Sequence, residues 1–545
     1  MNKFFKIAVL MLLTLAATGL KAQNPKHEFR GAWLHIIGQD QYATMTAQET
    51  RHYLIKQLDK LKSAGVNAII WQIRPQADAA YPSQLEPWSR WITGKAGKAP
   101  TPLWDPLQFM IEESHKRGME LHAWINPYRV TTSRKDRPAT GHIYYKHPEW
   151  FVKYADGKIY FDPALPQSRN FIDQVVRDLL ARYDIDALHM DDYFYPYPVK
   201  GADFPDGGSF AQYGQGWSNR GDWRRHNVDL LIEMLHNTIQ EVKPWVRLGI
   251  SPFGIWRNKA SDPDGSDTNG LECYDALYAD CLKWTAKGWV DYMVPQLYWE
   301  LEHKAASDLK LSYWWNEHAN GRHMYYGQAV RKTMDKPDIA QDGGNPANPT
   351  QLDHKIRLMR KLPNVHGVTW WPAYDITSNY KGVKDSLMTH QMSTRALIAP
   401  YTWIDSIAPQ AVTGVQASPD GNHINLSWTA VNTSDELQRA TKFVIYKFAQ
   451  CQTIDLNRAD AIVDVVDCPR YTYIKENSAD DEGITFVITA LDRCNNESKG
   501  VAVKPYSMGG MSSAMSCLSS STEMCGCNAN LLACSSIALS KRLRT

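Results

Sequence analysis

Between Phe29 and Trp371, short runs rich in β-branched and aromatic residues alternate with amphipathic helical stretches, and the alternation repeats eight times. The strand candidates are FRGAWLHI (29–36), AIIWQIR (68–74), ELHAWIN (120–126), DALHMDD (186–192), RLGISP (247–252), DYMVPQLY (291–298), HMYYGQ (323–328) and GVTWW (367–371). Helical patterns lie between them. TAQETRHYLIKQLDKLKSAG carries Thr46 as cap, Glu49 three residues on and Gly65 as stop. DPLQFMIEESHKRG, RNFIDQVVRDLLARY, RHNVDLLIEMLHNTIQEV and YDALYADCLKWTAKG follow the same pattern. Eight β-then-α units predict an α/β fold of the (β/α)₈ TIM-barrel kind over residues 27–400. An open doubly wound sheet more often begins with a Gly-rich phosphate turn, and none follows the first strand. In such a barrel the chemistry sits at the C-terminal ends of the strands.

Residues 408–506 change pattern. HINLSWTAV, TKFVIYKF, YTYI, ITFVITALD and GVAV alternate with turn residues, which predicts a small all-β sandwich. The WT, VIYKF and FVITALDRCNNES segments resemble a fibronectin type III module, to which no chemistry is assigned.

The ends of the chain read as non-core segments. Lys3 and Lys6 precede IAVLMLLTLAATGL, and Ala22 supplies a small residue for cleavage, so residues 1–22 are expected to be a signal peptide. No Cys follows that site, and no later run approaches the roughly 20 apolar residues of a membrane span. The expectation is an exported protein, periplasmic or at the cell surface, without an integral span. The tail 507–545 is Ser-rich, lacks aromatic residues and holds four of the nine Cys, which predicts disorder. CGC without a second matched pair does not make a zinc site. An exported setting permits disulfides among Cys451, Cys468 and Cys494 without assigning them.

Removing Lys3, Lys6 and Lys21 takes the formal charge from +2 to −1. That argues against a nucleic-acid partner, whose affinity comes from neutralising phosphates. Twenty Trp and 27 Tyr serve a core first, and their flat apolar faces with a polar edge also suit sugar rings.

Period-two alternation selects the side chains that enter the barrel. In ALHMDD, Leu188 and Met190 share the face that meets the helices, while His189 and Asp191 look inward. Asp192 lies just past the strand, placed to pair with a neighbour, shape the loop or meet substrate. In LHAWINPYR the inward set is His122, Trp124 and Asn126, with Tyr128 and Arg129 at the rim. Gln72 groups with Arg74, and Gln296 with Tyr298 and Glu300.

Each residue also has a plainer reading. Asp78, Glu302 and Asp375 taken singly read first as solvated turn residues, and His122 and His189 equally well as satisfied core histidines. Trp370 and Trp371 suit packing better than sugar platforms. Asp191 differs, because an inward acid among inward His, Asn, Gln and Arg is costly to bury without purpose. Neighbouring strand residues point to opposite faces, so His189, Asp191 and Asp192 cannot all reach one metal ion, and neither a metal nor a cofactor is assigned.

Glycoside hydrolysis needs two carboxyl groups across a sugar-sized gap, and Asp191 with Glu300 fits that need, Asp192 being the third candidate. No G-x-S-x-G elbow or H-E-x-x-H helix competes. FRGAWL, WQIRPQADAAYPS, PWSRWITG, WDPLQFMIEESHKRGMELHAWINPYRV, LHMDDYFYP, GISPFGIWRN, GWVDYMVPQLYW and GVTWWPAYD together resemble the glycosyl hydrolase-like 10 family, from about His27 to about Ala399. That resemblance implies a glycosidase-type barrel acting on a polysaccharide, with peptidoglycan glycan strands lacking stem peptides as the leading substrate. DALHMDD is also similar to the strand of amylase-like barrels in which an apolar-basic-apolar triplet precedes a nucleophilic Asp, and that register selects Asp191. Those barrels place an acid/base Glu after the fifth strand, where GISPFGIWRN offers no acid before Asp262. Glu300 is the acid/base candidate, with Asp192 and Glu272 as alternatives. Arg74, His122, Asn126 and Gln296 would then bind hydroxyl or acetamido groups, with Gln72, Asp78, Tyr128, Arg129, His189, Tyr298 and Trp370 around them, and Tyr193, Tyr195 and Trp299 would stack on rings. Two rival readings stand beside this one: a carbohydrate-binding barrel without catalysis, and a glycosidase for dietary or host glycans.

Overall fold

The structure, a computed structural model, describes residues 24–337, 350–450, 452–475 and 483–505. In chain order come β1 (Phe29–Leu34), β2 (Ala68–Arg74), β3 (Glu120–Ile125), a hairpin of β4 (Phe151–Lys153) and β5 (Ile159–Phe161), then β6 (Ala187–Met190), β7 (Arg247–Ile250), β8 (Tyr292–Met293), β9 (His323–Ala329) and β10 (Val365–Trp371). Apart from the hairpin, these strands close into one barrel in the order β1-β10-β9-β8-β7-β6-β3-β2, and every pair is parallel. The eight strands read from the sequence are the eight staves. The hairpin was not announced by the alternation, since each of its strands is three residues long.

Local signals explain the helices. Helix Ala47–Ser63 starts on a complete capping box, with the Glu49 amide donating to Thr46 Oγ1 and the Thr46 amide to Glu49 Oε2. Gly65 follows it at φ +86°, where a Cβ would lie 2.7 Å from the Met392 Cβ. YDALYADCLKWTAKG, read as one helix, forms two short ones, Cys273–Ala276 and Cys281–Ala286, because Tyr278 between them adopts φ +54°.

The strands sort their side chains as period two requires. Leu121, Ala123, Ile125, Leu188 and Met190 join the large apolar layer between barrel and helices. Phe29, Trp33, Ile70, Trp124, Tyr292 and Tyr325 fill the interior. Tyr292 crosses the axis against Gly249, where any Cβ would sit 1.8 Å from its ring.

A chain of hydrogen bonds runs down that axis. The indole N–H of Trp33 donates to His189 Nε2 at 3.2 Å, so His189 carries its proton on Nδ1, 3.1 Å from the Tyr292 hydroxyl. Tyr292 in turn lies 2.8 Å from His122 Nδ1, and His122 Nε2 is 3.0 Å from Glu120. Every donor points the same way, from the mouth to the Glu120 carboxylate. Burial holds both histidines below their ordinary pKa, so they are neutral links.

Glu120 stands at the floor, where the second domain docks. That domain pairs a sheet of β11 (Thr413–Asp420), β12 (His423–Thr429) and β15 (Arg470–Ile474) with one of β14 (Ile462–Val466), β13 (Lys442–Phe448), β16 (Thr485–Leu491) and β17 (Val501–Val503). The five predicted strands are present, and β11 and β14 add to them. Glu120 is ion-paired to Arg247 of β7, lies 3.3 Å from Lys442 of β13 and accepts from the Asn495 amide at 3.0 Å. Tyr401, in the connecting segment, takes the Arg247 guanidinium on its ring and bonds the Tyr325 hydroxyl at 2.7 Å. Residues 1–22, expected to be a signal peptide, the tail 507–545, expected to be disordered, and Cys451 fall outside the described residues. Among the described residues no helix is long and apolar enough to cross a membrane.

Removing one member of a buried charge cluster leaves the others uncompensated. Lys442→Met is therefore expected to lower unfolding free energy by about 3 kcal/mol in chemical denaturation, whereas Asn425→Ala on the exposed side of β12 changes little. Arg247 and Lys442 hold the Glu120 carboxyl well below its ordinary value of 4.5, against the opposing effect of burial. Its contribution is thus present above about pH 4.5 and is lost on acidification below it.

Candidate active site

β6 ends at Met190, and the chain turns at once into the loop that carries Asp191 and Asp192. Both carboxylates are buried, at 5% and 3% exposure, and they diverge. Asp191 leans toward β3, where the Asn126 amide donates to Oδ1 at 2.7 Å and the Trp124 indole to Oδ2 at 3.2 Å. Asp192 leans toward β7 and β8, where Gln296 donates to Oδ1 at 3.1 Å and the Tyr197 hydroxyl donates to Oδ2. The Gln296 amide is held in turn by the Ser251 carbonyl at 3.1 Å.

These surroundings separate the two acids. Burial pushes the Asp191 carboxyl up, but the Arg129 charge and the donors Asn126 and Trp124 oppose it. Asp192 is pushed up to about 6 by burial and then by the charge of Asp191 beside it. Both carboxyls are thus raised, and Asp192, beside the charge of Asp191, is the one suited to hold a proton near neutrality.

Arg129, Tyr193 and Tyr298 complete the mouth. Arg129 anchors its Nε on the Pro75 carbonyl at 3.0 Å and lays its guanidinium over the Tyr193 ring, 5.1 Å from the centroid. Tyr298 stands edge-on to Trp33 at 6.3 Å, within the field of both carboxylates. Trp371, on the inner face of β10, meets Trp124 edge-on at 6.2 Å.

Other residues read from the sequence have framework tasks. Gln72 accepts from the amides of Ile36 and Ile37 and fixes the loop after β1. The fully buried Arg74 guanidinium is spent on Glu86 and on the carbonyls of Asn126 and Pro127, so it positions Asn126. Asp78 accepts from the Gln76 amide at 3.1 Å, and burial pushes its carboxyl up to about 7. It lines a shallow side pocket with Trp88, Arg90, Asp136 and His142. His122 and His189 lie on the barrel axis beneath the acids.

Tyr128, Tyr195 and Trp370, expected to contact substrate, and Glu300, the acid/base candidate, have other surroundings. Tyr128 and Tyr195 are each 1% exposed and offer no face to a sugar. Trp370 is fully buried in the layer between barrel and helices, because on β10 it is Trp371 that faces inward. Glu300 turns to Lys336 at 3.1 Å. Trp299 packs edge-on against Phe253 at 5.5 Å and stays partly exposed. Glu272, the other alternative acid, accepts from the backbone and side chain of Asn258.

The sequence reading missed Tyr197 and Ser251. Both lie where the chain has left its strand, so alternation carries no information about them. Among the described residues no group of three or more His, Cys, Asp or Glu is arranged to hold a metal ion.

Comparison with known proteins places the sequence in a family. The sequence profile of the glycosyl hydrolase-like 10 family matches residues 28–342. Glycosyl hydrolase YngK of Bacillus subtilis (strain 168) is 37% identical over 481 residues, covering 87% of this chain and 92% of that protein. Glycosyl hydrolase DigH of Escherichia coli (strain K12) is 35% identical over 373 residues, covering 63% of this chain and 83% of that protein. Among solved structures, the PgaB (BpsB) glycoside hydrolase domain from Bordetella bronchiseptica aligns with a TM-score of 0.42 and 11% identity, covering 67% of this chain and 99% of that one. The match over more than half of its length, with the two relatives, establishes that the chain belongs to the glycosyl hydrolase-like 10 family.

Proposed function

We propose that this glycosidase acts outside the cytoplasm on peptidoglycan glycan strands that lack stem peptides, with Asp192 as the proton donor and Asp191 as its ionised partner. The observation that carries the reading is the Asp191–Asp192 pair, two adjacent buried acids each held by two side-chain donors, of which Asp192 is pushed up to about 6 by burial and by the charge of Asp191, while the Arg129 charge opposes the rise at Asp191. Glycosidic cleavage needs that division: a proton for the leaving oxygen, and a negative charge beside the anomeric carbon as positive charge develops there. The proton donor thus moves from Glu300, which is engaged with Lys336, to Asp192. Arg129 and Asn126 on one side and Gln296 on the other bracket the acids and would meet hydroxyl or acetamido groups. Tyr193 and Trp299 offer partly exposed rings for stacking. The basic-then-apolar start of the chain supports export, and the near-neutral charge of the remainder suits a substrate not selected by bulk charge.

The test is mass spectrometry of products after incubation with peptide-free peptidoglycan strands beside a panel of plant and host glycans. The expected result is cutting of the bare strands, reduced about 10²–10⁴-fold in both Asp191→Asn and Asp192→Asn. Binding of strands without any cutting by the unaltered protein would reject the reading.

The pH dependence has a definite sign. Asp192 must be protonated, so kcat/KM falls as pH rises through about 6, and it falls again in acid as Asp191 takes up a proton. The bond from Tyr197 favours the ionised form of Asp192. Tyr197→Phe should therefore move the alkaline limb to higher pH.

Stability should fall over the same alkaline range as activity, whereas substitution of Asp192 should move the two in opposite directions. The Asp192 carboxyl resists ionisation in the folded protein, so its favourable contribution is full below its ordinary value of 3.8 and is lost as pH rises through about 6. Asp192→Asn is expected to raise Tm at pH 8 and to leave it nearly unchanged at pH 4, as read by thermal unfolding at both values.

A further inference from the structure

The two acids leave one role in the reaction unfilled. A retaining glycosidase of the common kind uses a carboxylate nucleophile across the scissile bond from the acid, roughly 5–5.5 Å away. Asp191 and Asp192 are consecutive, rise from one strand end and turn sideways, toward β3 and toward β8 respectively. Five other acids on the connections that follow the strands are engaged elsewhere: Glu86 by Arg74, Glu272 by Asn258, Glu300 by Lys336, Asp308 by Lys355 and Asp375 by Arg331. Beside Asp191, meanwhile, the inner face is an aromatic cup in which Trp124, Trp371, Trp33 and Tyr298 belong to one packed cluster. Trp371 and Tyr298 are only partly buried there, so the cup opens to the mouth. A carboxylate at the edge of an apolar cup, already held by an indole N–H and an amide N–H, is built to accept an N–H next to a methyl group.

We infer that the nucleophile is the substrate's own 2-acetamido group: its carbonyl oxygen attacks the anomeric carbon while Asp191 accepts its N–H, and its methyl sits in the cup of Trp124, Trp371 and Tyr298. The inference rests on the glycosidase reading above and narrows the sugar on the non-reducing side of the cut bond to an N-acetylated 2-amino sugar. In the first step the C1–O bond to the leaving sugar breaks, the proton of Asp192 goes to that oxygen, and the acetamido oxygen bonds to C1. The product is an oxazolinium ion whose N–H remains on Asp191. In the second step Asp192, now ionised, takes a proton from water as the water oxygen bonds to C1. The ring C1–O bond to the acetamido oxygen breaks, the acetamide is restored and Asp192 regains its proton. Two inversions at C1 give overall retention.

The experiment uses the full chain on peptide-free peptidoglycan strands, as isolated and after chemical removal of the N-acetyl groups, with NMR of the first-formed anomer. The thiazoline analogue of N-acetylglucosamine serves as a mimic of the cyclic ion. The expected outcome is a retained anomer, competitive inhibition by the thiazoline, and a loss of about 10²-fold or more on the deacetylated strands. An inverted anomer, or equal cutting of both strands, overturns the acetamido nucleophile while leaving a glycosidase on this glycan. Cutting confined to glycans without amino sugars overturns the proposed substrate and this mechanism together.

Discussion

The Glu120 carboxylate at the floor of the barrel is the group on which the rest of the architecture hangs. It is an ionised acid withdrawn from water, and such a charge persists only where every lone pair is met. Arg247 and His122 come from the barrel, and Lys442 and Asn495 from the sandwich. Because Glu120 can only accept, His122 must donate to it, and that choice fixes the proton positions of Tyr292 and His189 above it, in the sense that leaves His189 Nε2 free to accept from Trp33. Trp33 then holds Tyr298 at the mouth. A charge at one pole thus orients side chains at the other through a column of neutral links.

The division of labour between Asp191 and Asp192 is bought with stability. Two neighbouring carboxylates in a buried loop repel each other, and a fold selected for stability alone would replace one with an amide. The loop keeps both and gives each two side-chain donors, an indole from β3 and the Asn126 amide just past it for one acid, a phenol and an amide for the other, and only Asp191 has the Arg129 charge opposing its rise. Arg74, itself fixed by Glu86, and Ser251 hold two of those donors, Asn126 and Gln296, in place.

Alternation along strands is a geometric necessity, so whatever it governs was legible. All eight staves, the inward pointing of His122, Trp124 and His189, and the outward pointing of Leu188 and Met190 follow from it. It fails where the strand ends. Met190 is the last residue of β6, so the direction of Asp192 is set by Tyr197 and Gln296, which no sequence period connects to it. Trp370 and Trp371 illustrate a different failure. Alternation says that only one of them faces inward, but the choice depends on strand register, and β10 shifts register between Val365 and Gly367. Glu300 was selected for its face, and its pairing with Lys336 depends on chain separated from it by more than one element.

The docked sandwich gives the molecule a polarity that neither domain has alone. Lys442 and Asn495 reach the N-terminal ends of the staves, while Asp191 and Asp192 lie beyond the C-terminal ends. A filled core a full barrel length deep thus stands between the sandwich and the strand ends that carry the two acids, so whatever the sandwich meets lies on the face turned away from the mouth.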